Sequence, residues 1–61
     1  MTKIYANLIG NWTLLTESDT IMNENPYVWV KEKNIQEHDF IWVGHENTGY
    51  RIHVSQIQIT N

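Results

Sequence analysis

Sixty-one residues make one domain, and a domain this short buries only about 60% of the surface its unfolded chain exposes. Chains of this size usually lean on a disulfide, a metal or a partner subunit, and the absence of cysteine removes both the disulfide and any cysteine-ligated zinc site. Seven acids against four bases give a net charge of −3 with no cluster of Lys and Arg to neutralise phosphates, so nucleic-acid binding is disfavoured.

What remains as a source of stability is an efficient core, self-association, or the less favoured histidine-bound metal. Seven aromatics, three of them Trp, favour the core, because each buries roughly 150–250 Å². Met1-Thr2-Lys3-Ile4-Tyr5 lacks the basic region and apolar run of a signal peptide, and no stretch approaches the roughly 20 apolar residues of a membrane span. A cytoplasmic protein without membrane contact is therefore expected. Asn and Ile are abundant and Arg51 is the single arginine, a bias that matches AT-rich coding sequence such as that of low-GC bacteria or their phages.

The first apolar stretch, residues 3–9, is compatible with a strand although it alternates poorly. Gly10-Asn11 is a turn signal, and Trp12–Thr16 reads as the next strand. Glu17 to Asn25 is polar apart from Ile21 and Met22, and it reads as a long loop with room for one helical turn at Ser18 or Asp19. Pro26 bars a helix from running through and biases Asn25 toward extended geometry.

Four strand-like runs follow in close succession: Tyr27–Lys31, Phe40–Val43, Tyr50–Val54 and Ile57–Thr60. Each is rich in β-branched and aromatic residues, and no window of a dozen residues sustains a helical apolar period without a breaker. Asn34–Asp39 has room for a short helical turn, and a single 3₁₀ turn at Ser55-Gln56 would let Ile57 and Ile59 enter a last strand. The expected fold is all-β: five short antiparallel strands in a barrel-like arrangement spanning residues 1–61 as one domain. Leu14, Val28, Val30, Ile41, Val43, Ile52, Val54 and Ile57 are the expected core.

The faces of the second hairpin depend on its turn. A two-residue turn at Thr48-Gly49 opposes Val43 to Val54 and His45 to Ile52, which points Val43, Ile52 and Val54 inward and Trp42, Arg51 and His53 outward. A three-residue turn at Asn47-Thr48-Gly49 reverses strand 40–45. The first is preferred, because it keeps Arg51 in polar surroundings and uses Ile41 and Val43 as core.

The run Phe40-Ile41-Trp42-Val43-Gly44-His45, followed by Thr48 to Ile57, resembles the distal hairpin of an SH3-like small barrel. Ser55-Gln56-Ile57 stands where that family places a 3₁₀ turn before its closing strand. The resemblance implies that Glu17–Pro26 corresponds to the RT loop and Asn34–Asp39 to the n-Src loop. Two departures matter. Ile4-Tyr5-Ala6-Asn7-Leu8 does not match the Ala-Leu-Tyr-Asp-Tyr motif, and Val54-Ser55 stands where a Pro would precede the 3₁₀ turn. The resemblance therefore implies a bacterial-type SH3-like barrel and leaves polyproline binding behind, since fold does not fix function.

Strands 27–31 and 40–43 carry more large apolar residues than so small a core easily encloses. Tyr27, Trp29, Trp42 and Tyr50 are accordingly expected to line a partly exposed patch beside the Glu17–Asn25 loop, with Arg51 at its rim. The competing view is that the Trp rings cap the barrel ends and hold the loops. His38, His45 and His53 are the only plausible nitrogen ligands, and none of their spacings is that of a helical zinc site, so no metal and no cofactor is expected. His38 and Asp39 with Ser55 or Thr48 supply fragments of a hydrolytic triad. They lack a Gly-x-Ser-x-Gly turn and a pocket that would exclude water, so an enzyme is not expected.

The leading functional expectation is a non-catalytic protein-interaction module, its partner either another protein or an identical chain. The alternatives are a small barrel that stacks bases on Trp29 and Trp42 with Lys31 and Arg51 alongside, and a phage-encoded acidic inhibitor of a host protein.

Overall fold

The computed structural model describes residues 1–61 and is dominated by strands, which hold 48% of the chain. Strands β1 (Lys3–Leu8), β2 (Asn11–Leu14) and β6 (Ile57–Thr60) form one antiparallel sheet in the order β2-β1-β6. Strands β3 (Thr20–Ile21), β4 (Phe40–His45) and β5 (Thr48–His53) form the second, in the order β3-β4-β5. The two sheets do not close into a barrel. One helix, α1 (Pro26–Glu32), joins β3 to β4 by way of a 3₁₀ turn at Ile35–Glu37.

Strand β1 shows how the sequence makes the core. Ile4, Ala6 and Leu8 alternate with Lys3, Tyr5 and Asn7, and the first set is buried. They meet Leu15, Ile21, Trp29, Ile41 and Val43 in a single apolar cluster. Only ten residues are buried, so each one carries a large share of the stability of the domain.

Three hairpins turn through pairs of residues with positive φ: Ile9-Gly10, Met22-Asn23 and Glu46-Asn47. Positive φ at both central residues is the type I′ geometry, whose twist matches that of the strands it joins. The Gly signal locates the first turn correctly and misplaces the last. The β4–β5 turn is Glu46-Asn47, while Gly49 lies within β5 opposite Gly44. Val43 therefore faces Tyr50 rather than Val54, and His45 faces Thr48 rather than Ile52. That displacement is by an even number of residues, so the expected faces survive: Ile41 and Val43 are buried, Trp42 and Arg51 exposed.

The expected strand Tyr27–Lys31 is helical. Pro26 occupies the first helical turn, where its missing N–H costs nothing, and the Asn25 side chain caps the helix by accepting from the N–H groups of Tyr27 (2.9 Å) and Val28 (3.4 Å). The alternating Tyr27-Val28-Trp29-Val30 run has strand composition, yet only one indole has to reach the core. Trp29 does so at 1% exposure, leaving Val28 in solvent. Tertiary burial has overridden local preference.

The Glu17–Asn25 segment is likewise not a long loop, since it contains β3 and the Met22-Asn23 turn. Of the expected core, Leu14 and Val28 are exposed, and Val30, Ile52, Val54 and Ile57 are half-buried against the central cluster. The 3₁₀ turn expected near Ser55-Gln56 is present at Val54–Gln56, and β6 follows it at once.

Candidate functional site

Because Ile41 and Val43 point into the core, alternation sends Phe40, Trp42 and Gly44 to the outer face of β4. Their partners on β5 are His53, Arg51 and Gly49. Trp42 is 55% exposed and Phe40 49% exposed, which is unusual for side chains this large in the middle of a sheet.

The face is ordered by its own contacts. The Arg51 guanidinium carbon lies 4.3 Å from the centre of the Phe40 ring, a cation–π distance. His53 meets the same ring edge-on, with centroids 5.3 Å apart at 86°. On the other flank the Met22 N–H donates to the Trp42 carbonyl at 2.8 Å, and the Trp42 N–H reaches the Met22 Sδ at 3.4 Å. The Trp42 indole leans over Gly49, where an added Cβ would stand 3.8 Å from Cε3.

Paired glycines leave a hollow beside the indole. Trp42, Met22, Thr20, Asn23, Gly44 and Gly49 are among its lining residues, and its volume is about 360 Å³. That lies at the small end of the roughly 300–1,000 Å³ range of ligand pockets. A Cβ at Gly44 would collide with Thr20 Oγ1, so glycine is what allows β3 to sit this close to β4. A second hollow of about 320 Å³ continues toward the hairpin turn and shares Thr20, Gly44 and Gly49 with the first.

One buried carboxylate supports the far end of this face. Asp19 is 6% exposed and accepts from the Thr16 N–H at 2.7 Å and the Thr16 hydroxyl at 3.3 Å through Oδ2. Its Oδ1 pairs with His45 Nδ1 at 2.7 Å. Burial pushes the Asp19 carboxyl up, but the Thr16 N–H, the His45 imidazole and the Thr16 hydroxyl together outweigh it and hold the group below its ordinary value. On its other side His45 Nε2 faces Glu46 Oε1 at 3.7 Å, so its second neighbour is a carboxylate and not a nucleophilic hydroxyl.

Of the five residues read as a patch, the structure brings together Trp42 and Arg51, which are direct cross-strand partners. Trp29 is in the core beside His38, with ring centroids 5.3 Å apart. Tyr27 is half-buried and its hydroxyl donates to the Leu15 carbonyl at 2.8 Å. Tyr50 packs against the core from the inner face of β5. Helix α1 turns Trp29 and Tyr27 inward, and Tyr50 lies on the core side of β5 with Ile52, the face it already shared with Ile52 in the expected register.

Phe40, Met22 and the two glycines stand outside the expected patch. Phe40 was legible, standing two residues before Trp42 on an alternating strand. Met22 was not, because β3 lay hidden in polar sequence. The histidines have separate partners, His53 bonding Ser55 Oγ at 2.9 Å, and no three His, Asp or Glu side chains are grouped to hold a metal ion. A second exposed strip, Trp12 (52%) and Leu14 on edge strand β2, lies opposite Asn7 and Tyr5.

No family model matches the chain, and no curated protein or solved structure matches it. No helix is long and apolar enough to cross a membrane.

Proposed function

We propose that this chain is a small non-catalytic protein-interaction module whose contact surface is the outer face of the β3-β4-β5 sheet. The observation that carries the reading is Trp42, more than half exposed and flanked by Phe40, Met22 and Arg51 beside the glycine hollow. Aromatic, Met and Arg side chains are the types enriched where proteins meet, and Trp and Arg most often anchor the contact.

The same proposal includes an SH3-like arrangement and a cytoplasmic setting. The order of hairpin, one 3₁₀ turn and a closing strand paired to β1 supports the former. Helix α1 and the open sheets are where the chain departs from a five-stranded barrel.

The test is a Trp42→Ala variant, checked for folding by circular dichroism and then compared with the wild type by light scattering and by cross-linking in the native host. Loss of a cross-linked protein, or of self-association, is expected. An unchanged set of cross-links together with unchanged self-association would contradict the proposal.

A further inference from the structure

Resting on that contact surface, we infer that its occupant is an extended acidic peptide segment of a partner protein, with an apolar side chain seated in the Gly44/Gly49 hollow and carboxylates two and four residues along. The charge pattern points there first. No acidic residue occupies an outward position of β4 or β5, where Arg51 and His53 stand. Both ion pairs in the chain belong to His45, so Arg51 has no carboxylate of its own although acids outnumber bases in the sequence. Its guanidinium carbon stands 4.3 Å from the centre of the Phe40 ring, and a guanidinium presents a hydrogen-bonding fork to a planar acceptor.

Spacing supplies the second argument. The hollow lies at the Gly44–Gly49 level, and the backbones of Arg51 and His53 follow two and four residues further along β5, with both side chains converging on the Phe40 ring. Two residues along a strand span about 7 Å, and an extended peptide presents alternate side chains on one face at the same interval. A segment of the form apolar-x-Glu-x-Glu, in either chain direction, thus runs its carboxylates toward the Arg51 and His53 side chains gathered at Phe40 when its anchor is in the hollow. A flat ring suits the anchor position, because the Trp42 indole lines the hollow. Phosphate-rich ligands fit poorly, with one arginine on the face and a net charge of −3 behind it.

The experiment titrates the ¹⁵N-labelled chain with capped peptides Phe-Thr-Glu-Thr-Glu and its reversed sequence, with a Gln-for-Glu version and a Gly-for-Phe version as comparisons. The Gly44 and Gly49 amides and the Trp42 indole N–H report on the hollow. Saturable shifts at these three signals are expected, weaker by about fivefold for the Gln peptide, as loss of an exposed charge pair allows. Arg51→Gln should erase the difference between the Glu and Gln peptides. If that variant unfolds, weakening of the wild-type titration with added salt makes the same test.

Equal affinity for the Glu and Gln peptides at the same signals overturns the acidic occupant and leaves the contact surface standing. Shifts confined to Trp12 and Leu14 overturn both. Shifts at Trp42 on concentrating the chain without peptide assign the face to a second copy and likewise overturn the inference. No shift with any peptide overturns it outright.

Discussion

Asp19 and His45 face one another one step beyond the end of the β3–β4 ladder, next to the Thr20–Gly44 pair, with Oδ1 and Nδ1 2.7 Å apart. Two-residue β3 is too short to hold its place by backbone bonds alone. The buried carboxylate ties the chain before β3 to the end of the hairpin, and with it the wall of the candidate site.

That tie makes stability depend on acid. The Asp19 carboxyl is held below its ordinary value of 3.8 when folded, so it contributes stability that is present above that value and lost as pH falls through the folded value. Asp19→Asn should lower the unfolding free energy measured with urea at neutral pH by about 1–3 kcal/mol, as for a buried charged hydrogen-bonding group, and flatten the acid limb of the stability profile. Parallel acid limbs for variant and wild type would show that the clasp carries none of this dependence.

The two tryptophans near the middle of the chain should behave oppositely. Trp29→Ala removes the largest fully buried side chain and should cost about 3–5 kcal/mol, a large part of the total for any small domain. Trp42→Ala removes a ring that mostly contacts solvent and Gly49, and should cost less than about 1 kcal/mol. Chemical denaturation of both variants checks the pair, and a Trp42→Ala cost equal to that of Trp29→Ala would contradict the placement of the faces.

Gly44 and Thr20 should couple. Gly44→Ala places a methyl against Thr20 Oγ1 and should loosen β3, whereas Thr20→Ala removes the obstructing oxygen. In a double-mutant cycle the second change should restore part of the stability lost to the first, with a coupling of about 0.5–3 kcal/mol. Strict additivity would mean that β3 does not press on β4 at this point.

Ile9 is an exposed β-branched residue held at φ 51°, a backbone region that side chains branched at Cβ rarely adopt. Ile9→Asn should raise the thermal midpoint, since relief of left-handed strain is worth roughly 1–2 kcal/mol. A lower midpoint would indicate that the Ile9 side chain makes a contact which offsets the strain.

The strands that the sequence makes legible are those where side-chain alternation and hydrophobic burial agree. Ile41 and Val43 against Trp42 is such a case, and the same alternation sets Trp42 beside Arg51 on the outer face. Tyr27–Lys31 shows the opposite: β-rich composition, but a cap at Asn25 and Pro26 and a single indole that must be buried. An N-terminal helix signal of Asn followed by Pro was present there and reads against the strand. Strand β3 could not be found locally, because two residues carry no period and its position is set by Gly44 and the Asp19–His45 pair far along the chain.

Which exposed aromatic surface makes the contact is tested most directly by comparing the proteins cross-linked in the native host by folded Trp42→Ala and Trp12→Ala variants. The two rings are similarly exposed, on different sheets. The account predicts that Trp42→Ala loses a partner which Trp12→Ala retains. Loss with Trp12→Ala alone, with Trp42→Ala matching the wild type, would contradict it.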